Sequence, residues 1–139
     1  MNILGINPGH NGAAALLVDG ELKFYIEEER LSQSKYDGNP FMGILEALKY
    51  GVDVLVLGGT SPEHPQLPWT GEDAYTALVR KHNPGVKVFN VGHVHHIGHA
   101  ASAFYNSGFD EAAAIIVDGS GTRQEIQIDE EGTKNNGFE

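Results

Sequence analysis

Apolar positions along the chain fall into short blocks separated by turn residues. Asn2–Asn7 is a compact apolar run, the pattern of a buried strand. Pro8-Gly9-His10-Asn11-Gly12 brings Pro, two Gly and Asn into adjacent positions and predicts a turn. Ala13–Val18 is apolar again, and Asp19-Gly20 is a tight hairpin signal. In Glu21–Glu27 the pattern becomes strict alternation, with Leu22, Phe24 and Ile26 on one face and Lys23, Tyr25 and Glu27 on the other. The chain therefore opens with three antiparallel strands.

Glu28–Tyr36 is charged and polar and reads as loop, its Glu27-Glu28-Glu29-Arg30 run as a solvated edge. Asn39-Pro40 starts a helix with Asn as cap and Pro at the first position. Ile44, Leu45 and Leu48 form its buried stripe and Gly51 ends it. Asp53–Leu57 is a central strand. Gly58–Trp69, with Pro62, Pro65 and Pro68, is an extended loop. A second helix runs from Thr70 or Gly71 to about His82 and stops at Asn83-Pro84-Gly85. Val86–Val91 is a further strand, expected to lie centrally, and His93–Asn106 a third helix, ending before Gly108. Ala112–Val117 is a buried strand, Asp118–Gly121 a turn and Glu125–Asp129 an alternating strand. The order is βββαβαβα followed by ββ, an α/β arrangement whose last strands repeat the opening motif of an apolar strand, a Gly-rich turn and a returning strand. Asp129-Glu130-Glu131-Gly132 reads as a turn, and only seven residues follow it. A hairpin thus starts without its partner, and the expectation is a piece of a longer protein.

Composition removes several function classes. With no Cys among 139 residues there is no disulfide, thiolate metal site, iron–sulfur cluster or Cys nucleophile. The Met1-Asn2-Ile3 start lacks a basic region and a cleavage site, so no secretory signal is read. No apolar run approaches the ~18 residues of a membrane span. The expected location is the cytoplasm. A net charge of −10, from 9 basic and 19 acidic residues, argues against binding a nucleic-acid backbone. It also means that an anionic ligand would need backbone dipoles and a metal cation to hold it.

Candidate chemistry concentrates in Val91-Gly92-His93-Val94-His95-His96-Ile97-Gly98-His99, where four of the seven histidines lie. On a helix His95 and His99 are four residues apart, on one face, and two imidazoles so placed can share a divalent metal; His96 and His99, three apart, could do the same less ideally. His96 follows His95 where a zinc peptidase needs Glu, which disfavours that class. Asp118, at the end of the predicted strand, is the natural third ligand. Against this stands the plainer reading of helix-surface histidines and an ordinary Asp-Gly turn. Gly9, Asn11 and Gly12 suit an anion-binding nest of amides, and His10 adds a group that exchanges a proton near neutral pH. Arg30 and Lys35 are among the few cations available to an anionic substrate.

Several segments together resemble known families. The βββαβαβα order resembles one half of the duplicated actin-like ATPase, or ribonuclease H-like, fold, whose phosphate loops are the first hairpin turns of the two halves. Gly5-Ile6-Asn7-Pro8-Gly9-His10-Asn11-Gly12, then Val18-Asp19-Gly20, Glu27-Glu28-Glu29-Arg30-Leu31-Ser32 and Lys35-Tyr36-Asp37 are similar to the opening motifs of O-carbamoyltransferases of the NodU/CmcH type. His95-His96-Ile97-Gly98-His99-Ala100-Ala101-Ser102-Ala103, Ser107-Gly108-Phe109 and Val117-Asp118-Gly119-Ser120-Gly121 resemble their later ones. The departures are Asn7-Pro8, Asn11 and Gln33, the last in place of an Arg.

The resemblance implies an actin-like domain, similar to the tRNA threonylcarbamoyl-transferase fold. Residues 1–108 would be its first half and 109–139 the start of its second. It also implies transfer of a carbamoyl group from carbamoyl phosphate, through a carbamoyl-adenylate made with ATP, to a hydroxyl of a small-molecule acceptor. His95, His99 and Asp118 would hold a divalent metal, Fe(II) before Mn or Zn. Gly9, Asn11 and Gly12 in the first loop, with Asp118, Gly119, Ser120 and Gly121 in the second, would bind the nucleotide, and His10 would be the catalytic base. The partners would be the remainder of a carbamoyltransferase chain and its small substrates, with neither nucleic acid nor membrane. Without that remainder the chain is expected to be inactive. The alternatives are a non-catalytic nucleotide- or metal-binding module of a larger assembly, or a His-metal hydrolase.

Overall fold

The computed structural model describes residues 1–58 and 71–117, together with the backbone of two strands between 126 and 135. The chain divides into two compact units, Met1–Gly92 and His93–Glu139.

The first unit is an α/β layer built on a five-stranded mixed sheet. Strands β1 (Asn2–Asn7), β2 (Ala13–Val18) and β3 (Glu21–Glu27) form the expected antiparallel meander. β4 (Val54–Leu57) and β5 (Lys87–Asn90) add parallel to it, giving the order β3-β2-β1-β4-β5. Parallel neighbours need a crossover, and helices α2 (Phe41–Leu48) and α3 (Ala74–His82) supply the two. β4 is central, as its unbroken apolar sequence predicts. β5 is the edge of the sheet among the described residues, which corrects the expectation of a central strand there. Its alternating Lys87 and Phe89 are exposed, the composition of an edge.

The core lies on one face of this sheet. Leu4, Ile6, Ala14, Leu16, Leu55 and Leu57 meet Ile44 and Ala47 of α2 and Tyr75 and Val79 of α3. Burial of apolar surface of this kind contributes about 25 cal/mol per Å² and is the main stabilising term. Ile3, Gly5, Ala15, Leu17, Val54 and Val56, on the opposite face, are half-buried. Helix α2 approaches β2 at Gly43, where an added Cβ would stand 2.7 Å from the Ala14 Cβ. The helix therefore buries Gly43, Ile44 and Ala47, while Leu45, expected in the buried stripe, is 50% exposed. Small side chains at 43 and 47 set the contact face, and Leu45 is turned out of it.

Three further expectations change. Leu22 is exposed because β3 carries a bulge: Leu16 pairs with Phe24 but Leu17 with Leu22, so Lys23 is an extra residue and the alternation flips there. The segment after β3, read as loop, begins with a short helix α1 (Glu28–Ser32), closed by Gln33 in the left-handed region. Helix α3 starts later than expected. Asp73 caps it by accepting the Thr76 amide at 2.8 Å. Most of the proline-rich loop, including Trp69, lies outside the described residues.

A 3₁₀ turn (Gly92–Val94) spans the boundary in sequence, and the second unit continues into helix α4 (His95–Tyr105), as the sequence predicts. Ala112–Val117, expected to be a buried strand, is not a strand and pairs with none among the described residues, and Ile115 and Val117 are about nine-tenths exposed. Apolar composition alone does not make a strand; its amides and carbonyls need a ladder partner. β6 (Ile126–Asp129) does find its partner, since β7 (Gly132–Asn135) returns antiparallel to it. Among the described residues no helix is long and apolar enough to cross a membrane.

Candidate functional site

The loop that follows β1 is fixed by backbone contacts. Gly9 donates its amide to the Gly38 carbonyl and Gly12 donates to the Asp37 carbonyl, both at 2.9 Å. The two loops pack so closely that a Cβ on Gly38 would lie 2.3 Å from the Gly9 carbonyl oxygen. Asn11 sits at φ +61°, a left-handed conformation that Asn tolerates better than most residues. Two amides of the expected anion nest, those of Gly9 and Gly12, are thus already bonded to protein carbonyls. β1 and β4 run parallel, so the loop opens at the carboxyl edge of both strands. In open α/β sheets that edge is the usual place for ligands.

His10 stands exposed at the tip of this loop. Its ring lies against Tyr36, with centroids 5.1 Å apart and planes inclined by 30°. The Lys35 ammonium is 5.0 Å from the centre of the same Tyr36 ring. Glu29 links these groups: its carboxylate accepts the Tyr36 amide at 3.1 Å and the Lys35 ammonium at 3.1 Å. The Tyr36 amide first, and Lys35 second, hold the Glu29 carboxyl below its ordinary pKa. Arg30 stays exposed, 3.7 Å from Glu29.

Glu28 overturns the solvated-edge reading. It is 2% exposed, and its carboxylate accepts the amides of Met42 at 2.7 Å and Gly43 at 3.0 Å. Its own amide donates to the Gly12 carbonyl at 2.7 Å. One residue therefore ties the His10 loop to the amino end of α2, where a carboxylate is also favoured by the helix dipole. The sequence carried a signal for this. The first turn of α2 has no acidic residue of its own, so its amides need an acceptor from elsewhere. Asn39, expected to cap that helix, instead accepts the Tyr75 hydroxyl at 3.1 Å. Burial, then Asp73 and Asp37, push the Tyr75 phenol above its usual pKa.

In the second unit, the predicted His pair converges. Nε2 of His95 and Nε2 of His99 are 2.9 Å apart, and the rings meet edge to face with centroids 4.4 Å apart. His96 lies farther along, 5.9 Å from His95 by ring centre. At 2.9 Å the two nitrogens share one proton, one ring donating and the other accepting. The same spacing fits a metal. Imidazole nitrogens about 2.1 Å from an octahedral ion lie about 3.0 Å apart when cis, against about 3.4 Å for a tetrahedral ion. Among the described residues no set of three ligating groups comes together. Asp118, Gly119, Ser120 and Gly121 lie outside the described residues. An open cavity of about 910 Å³ runs beside α4, lined by Ile97, His99, Ala100, Phe104 and Phe109 and by the apolar segment that ends at Val117.

No protein-family model matches the chain. Nodulation protein NolNO of Sinorhizobium fredii is 28% identical to it over 134 residues, covering 81% of this chain and 20% of that protein. Uncharacterized protein sll1178 of Synechocystis sp. is 31% identical over 160 residues, covering 86% of this chain and 26% of that protein. The chain thus spans about a fifth to a quarter of the length of these curated relatives.

Proposed function

We propose that this chain is the amino-terminal part of an ATP-dependent O-carbamoyltransferase with an actin-like, ribonuclease H-like fold, working in the cytoplasm. The sheet order β3-β2-β1-β4-β5 with its opening meander supports the fold. The similarity to nodulation protein NolNO agrees with the motif resemblance to the NodU/CmcH family. The observation that carries the reading is the convergence of His95 and His99 on one point, Nε2 to Nε2 at 2.9 Å.

A divalent metal held by His95 and His99, with Asp118 as the carboxylate, would supply Lewis acidity toward a phosphate or carbamoyl oxygen. Two His and one carboxylate suit Fe(II), with Mn next. The chain's own part is to position and to move a proton. In the transfer step the acceptor hydroxyl oxygen forms a bond to the carbamoyl carbon, and the bond from that carbon to the phosphate oxygen breaks. AMP leaves, and the hydroxyl proton passes to a ring nitrogen of His10. The exposed ring of His10 at the carboxyl edge of β1 is accessible to such an acceptor. The remaining amides of the Pro8–Gly12 loop would take the phosphate, offsetting the acidic charge of the chain.

The test is carbamoyl-phosphate-dependent release of AMP from ATP by the protein that carries this segment. A panel of sugars and other polyols serves as acceptors, with mass spectrometry for the carbamoylated product. His10→Ala and the His95→Ala/His99→Ala pair should each remove product formation. Wild-type product yield from the double variant would sink the proposal.

A further inference from the structure

The geometry points to Glu29 and Tyr36 as positioning residues for His10: the carboxylate of Glu29 fixes a left-handed turn at Tyr36 that presents the phenol ring against the His10 imidazole. This deepens the role given to His10 above and rests on that reading.

The support is a chain of contacts rather than one distance. Tyr36 has φ +60°, a conformation that an aromatic residue adopts only when its surroundings impose it. The Tyr36 amide donates to Glu29 Oε2, so the strained residue is held from the carboxylate side. The adjoining turn is bonded along its length. Gln33 donates to the Glu29 carbonyl at 3.0 Å, Asp37 to the Ser34 carbonyl at 3.2 Å and Asn39 to the Asp37 carboxylate at 3.1 Å. The carbonyls of Asp37 and Gly38 then hold Gly12 and Gly9, on either side of His10. His10 is thereby fixed twice, through its backbone by residues 37 and 38 and through its ring by residue 36.

Glu29 is the point where both restraints start. Its side chain is 6% exposed although it lies in a polar stretch, and it also draws in Lys35, whose ammonium lies over the Tyr36 ring. Without that carboxylate the Tyr36 amide loses its acceptor, and the left-handed turn loses what offsets its strain. An imidazole that must take a proton from a bound hydroxyl has to stand at one place, and misplacement by about 1 Å costs orders of magnitude in rate. A ring free to sweep solvent at a loop tip does not meet that need. A ring seated on Tyr36 does.

The test is proton NMR of the His10 ring in the 139-residue chain. The wild type should show ring-current-shifted His10 protons and cross-relaxation to the Tyr36 ring. Tyr36→Phe should keep both, and Tyr36→Leu should remove both. Glu29→Ala, which touches no atom of the His10 ring, should remove them as well, while Glu29→Gln, which still offers an oxygen to the Tyr36 amide, should keep them. Amide shifts of Leu4 and Leu16 report whether the sheet is intact. An unchanged His10 signature in Glu29→Ala with the sheet intact would overturn the proposal. Should Glu29→Ala not fold, an unchanged signature in Tyr36→Leu overturns it equally. These signals do not depend on carbamoyl transfer. Failure of the functional reading leaves them in place, and failure of the positioning idea leaves product formation to be judged by its own assay.

Discussion

The carboxylate of Glu28 accepts the amide of Gly43 at 3.0 Å across 15 positions of sequence, and because the Glu28 amide donates to the Gly12 carbonyl, the first helix crossover is pinned to the end of the β1–β2 loop. Glu28→Ala leaves two helix amides, those of Met42 and Gly43, without their acceptor in a buried site. The expected cost is about 1–3 kcal/mol. Urea denaturation monitored by far-ultraviolet circular dichroism measures it. Glu28→Gln, which retains an acceptor oxygen, should cost less.

Gly38→Ala is expected to be more damaging than its small size suggests. The new methyl group would meet the Gly9 carbonyl oxygen, a backbone atom that cannot rotate away. A loss of about 1–3 kcal/mol is expected from such overpacking. Heteronuclear NMR should show shifts at Gly9 and Gly12 larger than anywhere on β4.

Acid should weaken the turn at Tyr36 in a predictable direction. The folded Glu29 carboxyl has a pKa lowered from 4.5, because the Tyr36 amide and then Lys35 favour its ionised form. The unfolded chain therefore takes up the proton first. The stability that Glu29 contributes is complete above 4.5 and is lost as pH falls from there through the lower folded value. Denaturant midpoints of wild type and Glu29→Gln should thus differ at neutral pH and converge in acid.

Metal uptake should depend on both converging histidines. Elemental analysis of the protein carrying this segment, purified without oxygen, should find bound Fe(II) or Mn in the wild type. It should find none in His95→Ala/His99→Ala. His93→Ala, outside the pair, should retain the metal.

The apolar segment ending at Val117 should bind a hydrophobic dye. Ile115 and Val117 expose about nine-tenths of their surface. Changing both to Asp should cut fluorescence of the dye ANS several-fold without moving the thermal midpoint, since neither side chain is packed.

Local pattern made much of this legible. The meander of β1, β2 and β3 follows from apolar blocks and the Asp19-Gly20 turn, and the meeting of His95 with His99 follows from helical spacing alone. Long-range pairing was less legible. Glu28 looks like any charged residue beside Glu27 and Glu29 until the amides of Met42 and Gly43 are counted. Leu22 follows the alternation on paper and departs from it because one inserted residue, Lys23, turns the strand over. Ala112–Val117 has the composition of a core strand, but burial is set by what packs on it, and composition does not specify that.

The same bulge has a consequence for how the protein avoids its own kind. Among the described residues β3 is an outer strand of the sheet, and the outer side of such a strand is a row of amides and carbonyls on which another chain could template itself. Lys23 breaks the regular spacing of that row, and Glu21 and Glu27 at its ends add like charges that two copies would bring together. At the other margin β5 is only four residues long. Among the described residues both margins of the sheet thus carry irregularity, charge or shortness, features that disfavour growth of the sheet from copy to copy.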